Sequence, residues 1–111
     1  MEKLGMSHSE EHILVCLSSA PSNEKIVRTA AQMANAFQSA FTALFVETPE
    51  FEKLSVENKQ RLQQNRILAE SLGARTETVY GEEIAYQIAE FARLAGVTQI
   101  VLGRSAVSKR K

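Results

Sequence analysis

The chain has 111 residues, 44% of them hydrophobic and 23% charged, with a formal net charge of zero. That size and composition fit one globular domain with one core and exclude a fibrous or intrinsically disordered chain. Zero net charge removes the field expected of a nucleic-acid binder, and no apolar run approaches the roughly 20 residues that cross a bilayer, so neither nucleic acid nor direct membrane insertion is expected.

Residues 1–11 are polar and without periodicity and read as a linker, so the domain is expected over 12–111. The unbroken apolar run Ile13 to Leu17 predicts a first strand buried on both faces. It contains Cys16, the only cysteine, which excludes an internal disulfide and reads as a buried, inert thiol in a reducing compartment. Ser22 is predicted to cap a first helix, with Glu24 in its first turn and Ile26, Val27, Ala30, Met33, Ala34 and Phe37 forming one apolar stripe. The aromatic and β-branched stretch Phe41 to Glu47 predicts a second strand, closed by Thr48 and Pro49.

From about Leu54 to Leu72 the chain is polar, with a ragged stripe of Leu54, Leu62, Leu68, Ala69 and Leu72, which predicts a second, more exposed helix ended by Gly73. Ala74 to Tyr80 predicts a third, more polar strand near a sheet edge. Ile84, Ala85, Ile88, Phe91, Ala92 and Ala95 form the cleanest helical stripe, ended by Gly96, and Thr98 to Gly103 predicts a fourth strand. Strands alternating with helices imply right-handed crossovers, hence an α/β fold whose parallel sheet is covered on both faces.

In such sheets ligands bind beyond the carboxyl ends of the strands, which directs attention to Ser18–Asn23, Glu47–Pro49 and Gly103–Ser108. Neither G-x-x-x-x-G-K-[ST] nor G-x-G-x-x-G follows the first strand, so P-loop and dinucleotide chemistry are not expected. Ser18, Ser19 and Ser22 offer hydroxyls beside a helix start that suit an anion or a polar base edge, while Ser22 as a plain helix cap is an equal reading. His8 and His12 both precede the first strand, so no positioned base serves a serine nucleophile, and two histidines with one cysteine make no metal-ligand spacing. No catalytic residue and no metal are therefore expected. Gly103 permits close backbone approach, and Arg104 with Ser105 could bind phosphate oxygens; a solvated basic end of Arg104, Lys109, Arg110 and Lys111 reads the same residues equally well.

The order of these elements, with "HILVCLSSAPSNEKIVRTAAQMA", "FTALFVETP", "LAESLGA" and "YGEEIAYQIAEFARLAGVTQIVLGRS", resembles the universal stress protein family over about Glu11 to Lys111. "FVETP" and "VTQIVLGRS" are most similar to the branch carried inside potassium- and turgor-responsive sensor histidine kinases of the KdpD family. The resemblance implies a three-layer α/β/α domain of strand order 3-2-1-4 whose fifth strand is missing because the domain is cut after the fourth. It implies a cytoplasmic regulatory input module of a two-component sensor kinase, with no enzymatic activity of its own. Its partners would be the other domains of that kinase and a nucleotide second messenger; the apolar, proline-free fourth strand, left as an edge by the missing fifth, also predicts association with a second copy. A free-standing nucleotide-binding stress protein is the alternative.

Stress proteins that bind ATP carry an aspartate after the first strand and a G-x-x-G-x9-G-[ST] loop after the fourth. Here Ser18 and Ser19 stand near the aspartate's position and Ala106 replaces the second glycine, which puts ATP behind cyclic di-AMP. Receptors of cyclic di-AMP in this branch carry S-x-S and FTA-x-Y. The present chain has Ser18-Ser19-Ala20 and Phe41-Thr42-Ala43-Leu44-Phe45, which adds Thr42 and Phe45 to the candidate residues while lacking one serine and the tyrosine hydroxyl.

Overall fold

The computed structural model describes residues 10–103. In chain order they form β1 (His12–Cys16), α1 (Asn23–Phe37), β2 (Ala40–Glu47), a short 3-10 helix (Pro49–Lys53), α2 (Val56–Ser71), β3 (Arg75–Tyr80), α3 (Ile84–Ala95) and β4 (Gln99–Val101). All three strand pairings are parallel and the order is β3-β2-β1-β4, as expected from the resemblance. Residues 1–9 of the linker expected over 1–11, and everything from Arg104 onward, lie outside the described residues.

Alternation along the two central strands divides the core into two layers. Ile13, Val15, Phe41 and Ala43 face α1 and α2, where Val27, Ala30, Ala34, Leu62 and Ala69 close over them. Leu14, Leu44 and Val46 face the other way, against Ile88 and Phe91 of α3. Ile13, Leu14 and Val15 are completely buried, which is why β1 reads as a continuous apolar run rather than an alternating one. Each such side chain contributes about 1.5–3 kcal/mol by leaving water.

Local chemistry sets the helix limits, and in two places it departs from the expected pattern. Ser22 occupies the N-cap position of α1, but its backbone is helical (φ −76°, ψ −9°) rather than extended, and its hydroxyl caps nothing. The next residue, Asn23, turns its side chain back toward β1 instead. The second helix does not begin at Leu54. Pro49 presets the first turn of the 3-10 helix, where Thr48 Oγ1 accepts from the Glu50 N–H; Leu54 is then extended, and Ser55 Oγ caps α2 by accepting from the Asn58 N–H at 3.0 Å. The far end follows expectation: Gly73 at φ 101° lets its N–H reach the Glu70 carbonyl while the Ala74 N–H reaches that of Ala69, the paired bonds of a glycine-terminated helix.

On the opposite face α3 carries the expected stripe and is ended by left-handed Gly96, yet none of its residues is fully buried. It packs mainly on β2, leaving Ile84, Ile100 and Leu102 about half exposed. The polar strand β3 lies at one edge, as expected, and β4 at the other.

Candidate functional site

The carboxyl ends of β1, β2 and β4 open into a cleft of about 640 Å³, a size suited to a small ligand. Its geometry begins with the loop that leaves β1. The Leu17 N–H still donates to the Leu44 carbonyl at 2.8 Å, and beyond it side chains replace the sheet ladder. The Asn23 amide donates to the Cys16 carbonyl at 3.0 Å while its Oδ1 accepts from the Ser18 N–H at 3.2 Å. From α2, the Asn65 amide donates to the Ser18 carbonyl at 2.9 Å and Arg61 Nη1 donates to the Ser19 carbonyl at 3.2 Å. Ser18 Oγ accepts from the Ala20 N–H.

The consequence is a loop whose shape is set before any ligand arrives. Both backbone groups of Ser18 and its hydroxyl are engaged, whereas the hydroxyls of Ser19 and Ser22 have no hydrogen-bond partner among the described residues and line the cleft. Around them the walls are apolar. Phe45, Phe51 and Leu62 lie on one side and Leu44, Ile84 and Ile88 on the other. Phe45 and Phe51 meet edge to face with ring centroids 5.7 Å apart, and Lys59 Nζ stands 5.2 Å from the centre of the Phe51 ring. Two aromatic rings and the Ser19 and Ser22 hydroxyls suit a planar polar ring, while Glu50 is the one charged residue in the lining among the described residues.

Of the residues singled out from the sequence, Ser18, Ser19, Ser22, Phe45 and Gly103 all line this cleft. Arg104 and Ser105 lie outside the described residues. Thr42 is placed elsewhere. It pairs in register with Leu14 and Arg75 near the amino ends of the strands, is 4% exposed, and its Oγ1 lies 2.8 Å from His12 Nε2. His12 Nδ1 lies 3.1 Å from the Ala95 carbonyl, which can only accept, so Nδ1 donates there, and Nε2 shares a hydrogen bond with the Thr42 hydroxyl. Thr42 thus belongs to a clasp tying β1 and β2 to the end of α3, and is not part of the cleft.

Asn65, Arg61 and Phe51 were not marked by the sequence, and Asn23 was marked only as the last residue of the Ser18–Asn23 segment. Asn23 sits one residue past the expected cap, and Asn65 occupies a core-facing helical position that counting apolar residues passes over. Cys16 lines the cleft, but burial pushes its thiol up to about 11, which keeps it protonated and unreactive near neutral pH. Among the described residues no group of three or more His, Cys, Asp or Glu could hold a metal ion.

No family model matches the chain. The fold is shared with a universal stress protein solved in complex with cAMP (TM-score 0.69, 18% identity, covering 90% of this chain and 77% of that one). It is shared too with the universal stress protein from Archaeoglobus fulgidus in complex with dAMP (TM-score 0.57, 22% identity, covering 84% and 80%). The chain is therefore a domain of universal stress protein fold. In sequence it matches sensor protein KdpD of Clostridium acetobutylicum, 39% identical over 97 residues, and that of Escherichia coli K12, 32% identical over 99 residues. These matches cover 87% and 89% of this chain and 11% of each relative, so the chain spans about a ninth of the length of the curated proteins it matches. It is similar in sequence to that ninth of the KdpD sensor proteins.

Proposed function

We propose that this domain is a cytoplasmic sensory input module of a potassium- and turgor-responsive sensor histidine kinase, and that its cleft receives an adenine nucleotide whose binding biases the kinase. One observation carries the reading. The cleft, with its free Ser19 and Ser22 hydroxyls and its Phe45–Phe51 pair, opens at the strand carboxyl ends of a fold in which relatives have been solved with cAMP and dAMP. Its sequence likeness to KdpD, at 31–39% identity, supports a kinase-borne module over a free-standing stress protein. No helix among the described residues is long and apolar enough to cross a membrane. A ligand acts in such a module only if it has different affinities for two states of the kinase.

Cyclic di-AMP is the first candidate, because an apolar cleft with two separate walls suits two bases joined by a polar ring, and ATP ranks behind it. ATP concentrates negative charge that needs a dense phosphate cradle, and the β1 loop has already committed the Ser18 N–H to Asn23. Calorimetry with cyclic di-AMP, cAMP and ATP tests the reading. Binding of cyclic di-AMP weakened by Phe45→Ala and by Ser19→Ala supports it; ATP binding at micromolar affinity that ignores both substitutions overturns it.

A further inference from the structure

The geometry points to Arg61, on α2, as the residue that holds the anionic group of a ligand seated in the cleft, an inference that rests on the nucleotide reading above for the rest of the ligand. The cation stands on α2, whereas Gly103 follows β4. Four observations converge on it.

First, its orientation is fixed. Nη1 donates one N–H to the Ser19 carbonyl at 3.2 Å and the other to Asn58 Oδ1 at 2.9 Å, so both hydrogens of that nitrogen are used. Second, what remains is the edge formed by Nε–H and Nη2–H, which makes no hydrogen bond among the described residues. That edge presents two parallel donors, the arrangement that grips two oxygens of a phosphate or carboxylate at once. Third, Arg61, like Arg66, which donates to the Thr78 hydroxyl, has no carboxylate partner among the described residues, whereas Arg28, Arg75 and Arg93 each pair with a glutamate. A half-buried guanidinium facing only neutral oxygens keeps an unneutralised charge, and desolvating it is unfavourable unless an anion completes the site. Fourth, the carbonyl it grips belongs to Ser19 and the residue after Arg61 is Leu62, both of which line the cleft, so the guanidinium borders the cleft without being part of its lining.

The neutral acceptors matter as much as the charge. Asn58 is itself anchored, its N–H donating to Ser55 Oγ at the start of α2, so the guanidinium is braced from the helix and from the loop together. A carboxylate in place of Asn58 would neutralise the cation; an amide orients it and leaves its charge available.

The test uses the 111-residue chain, its Arg61→Gln and Arg61→Lys variants, and three probes: 5′-AMP, adenosine and inorganic pyrophosphate. Calorimetry gives the affinities, and the Arg61 Nε–H resonance, assigned by its loss in Arg61→Gln, reports contact. Expected are movement of that resonance by 5′-AMP and by pyrophosphate but not by adenosine, and a loss of about tenfold to a hundredfold in 5′-AMP affinity in Arg61→Gln, with adenosine affected less than about twofold. Arg61→Lys should recover part of the loss, since it restores charge without the paired donors. Equal weakening of adenosine and 5′-AMP would show that Arg61 only supports the loop and overturn the inference, as would a resonance that neither anion moves. If pyrophosphate moves the resonance while neither adenosine nor 5′-AMP binds, the anion site stands and the adenine-nucleotide reading falls. If both adenine ligands bind alike and Arg61→Gln changes neither, that reading stands and the role of Arg61 falls.

Discussion

Asn65, in the middle of α2, donates its side-chain amide to the carbonyl of Ser18, 47 residues earlier in the chain, at 2.9 Å. Asn23 accepts from the N–H of the same serine, so one peptide segment at the mouth of the cleft is held by amides from two helices. Both asparagines are at most 5% exposed. Their burial is tolerable only because these bonds are made, and the same bonds fix where the Ser19 and Ser22 hydroxyls stand.

Removal of Asn23 should therefore be expensive. Asn23→Ala leaves the part-buried Cys16 carbonyl and Ser18 N–H without these partners, and we expect a destabilisation of about 1–3 kcal/mol, with ligand affinity reduced in parallel because the loop loses its shape. Urea unfolding measures the first and calorimetry the second. A change in stability under about 0.5 kcal/mol would mean that water replaces the amide at no loss.

Thr42→Val separates the clasp from the cleft. The substitution removes the hydroxyl that shares a hydrogen bond with His12 Nε2 while keeping a β-branched residue in the strand. We expect a loss of about 1 kcal/mol in stability and unchanged ligand affinity, since Thr42 sits at the other end of β2 from the cleft. Selective loss of binding with normal stability would contradict this placement.

The Cys16 thiol links stability to alkaline pH. Burial raises it from an ordinary 9.0 to about 11, so between those values the unfolded chain has released a proton that the folded chain still holds. The unfolded state binds fewer protons there, and stability must fall as pH rises through this window, by up to about 2–3 kcal/mol. To isolate the thiol, the measurement is the difference between the parent chain and Cys16→Ala in urea unfolding at pH 8 and at pH 11. The difference should shrink toward high pH. A pH-independent difference would show that the thiol is not protected. Alkylation by iodoacetamide should likewise be slow at neutral pH and accelerate on unfolding.

These residues also show where the sequence speaks and where it falls silent. The spacing of Val27, Ala30 and Ala34, the apolar run of β1, and Gly73 and Gly96 past their helices are local signals, and the structure follows them. Parallel pairing follows from alternation of strands and helices, whereas the order of the strands came only with the family resemblance. The cleft was legible as a place, since the strand ends mark it, but not as a mechanism. Contacts of Ser18 with Asn65 and of Ser19 with Arg61 close over more than forty residues, and no short pattern announces them. Thr42 shows the opposite failure: a motif match drew it toward the ligand, while the register of β1 on β2 sets it beside His12.

The last expectation concerns the edge formed by β4. This strand is three residues long and pairs with β1 alone among the described residues, so its outer N–H and C=O groups face away from the sheet without a described partner. Ile100, in register with the fully buried Leu14, is 44% exposed, and Leu102 beyond it is 45% exposed, because α3 covers mainly β2. An apolar strand edge with no proline, and with a half-covered face beside it, is a template for pairing with another chain. We propose that two copies of this chain associate through β4 across a two-fold axis, burying Ile100 and Leu102 from each. Ile100→Lys should weaken that association strongly, since it places a charge where the apolar surface would be covered, while the folded monomer loses little because the position is already half open to water. Sedimentation equilibrium over a range of concentrations decides the point. The parent chain should approach a dimer at high concentration and Ile100→Lys should remain monomeric; a parent chain that stays monomeric throughout, or a dimer that Ile100→Lys leaves intact, rules out β4 as the interface.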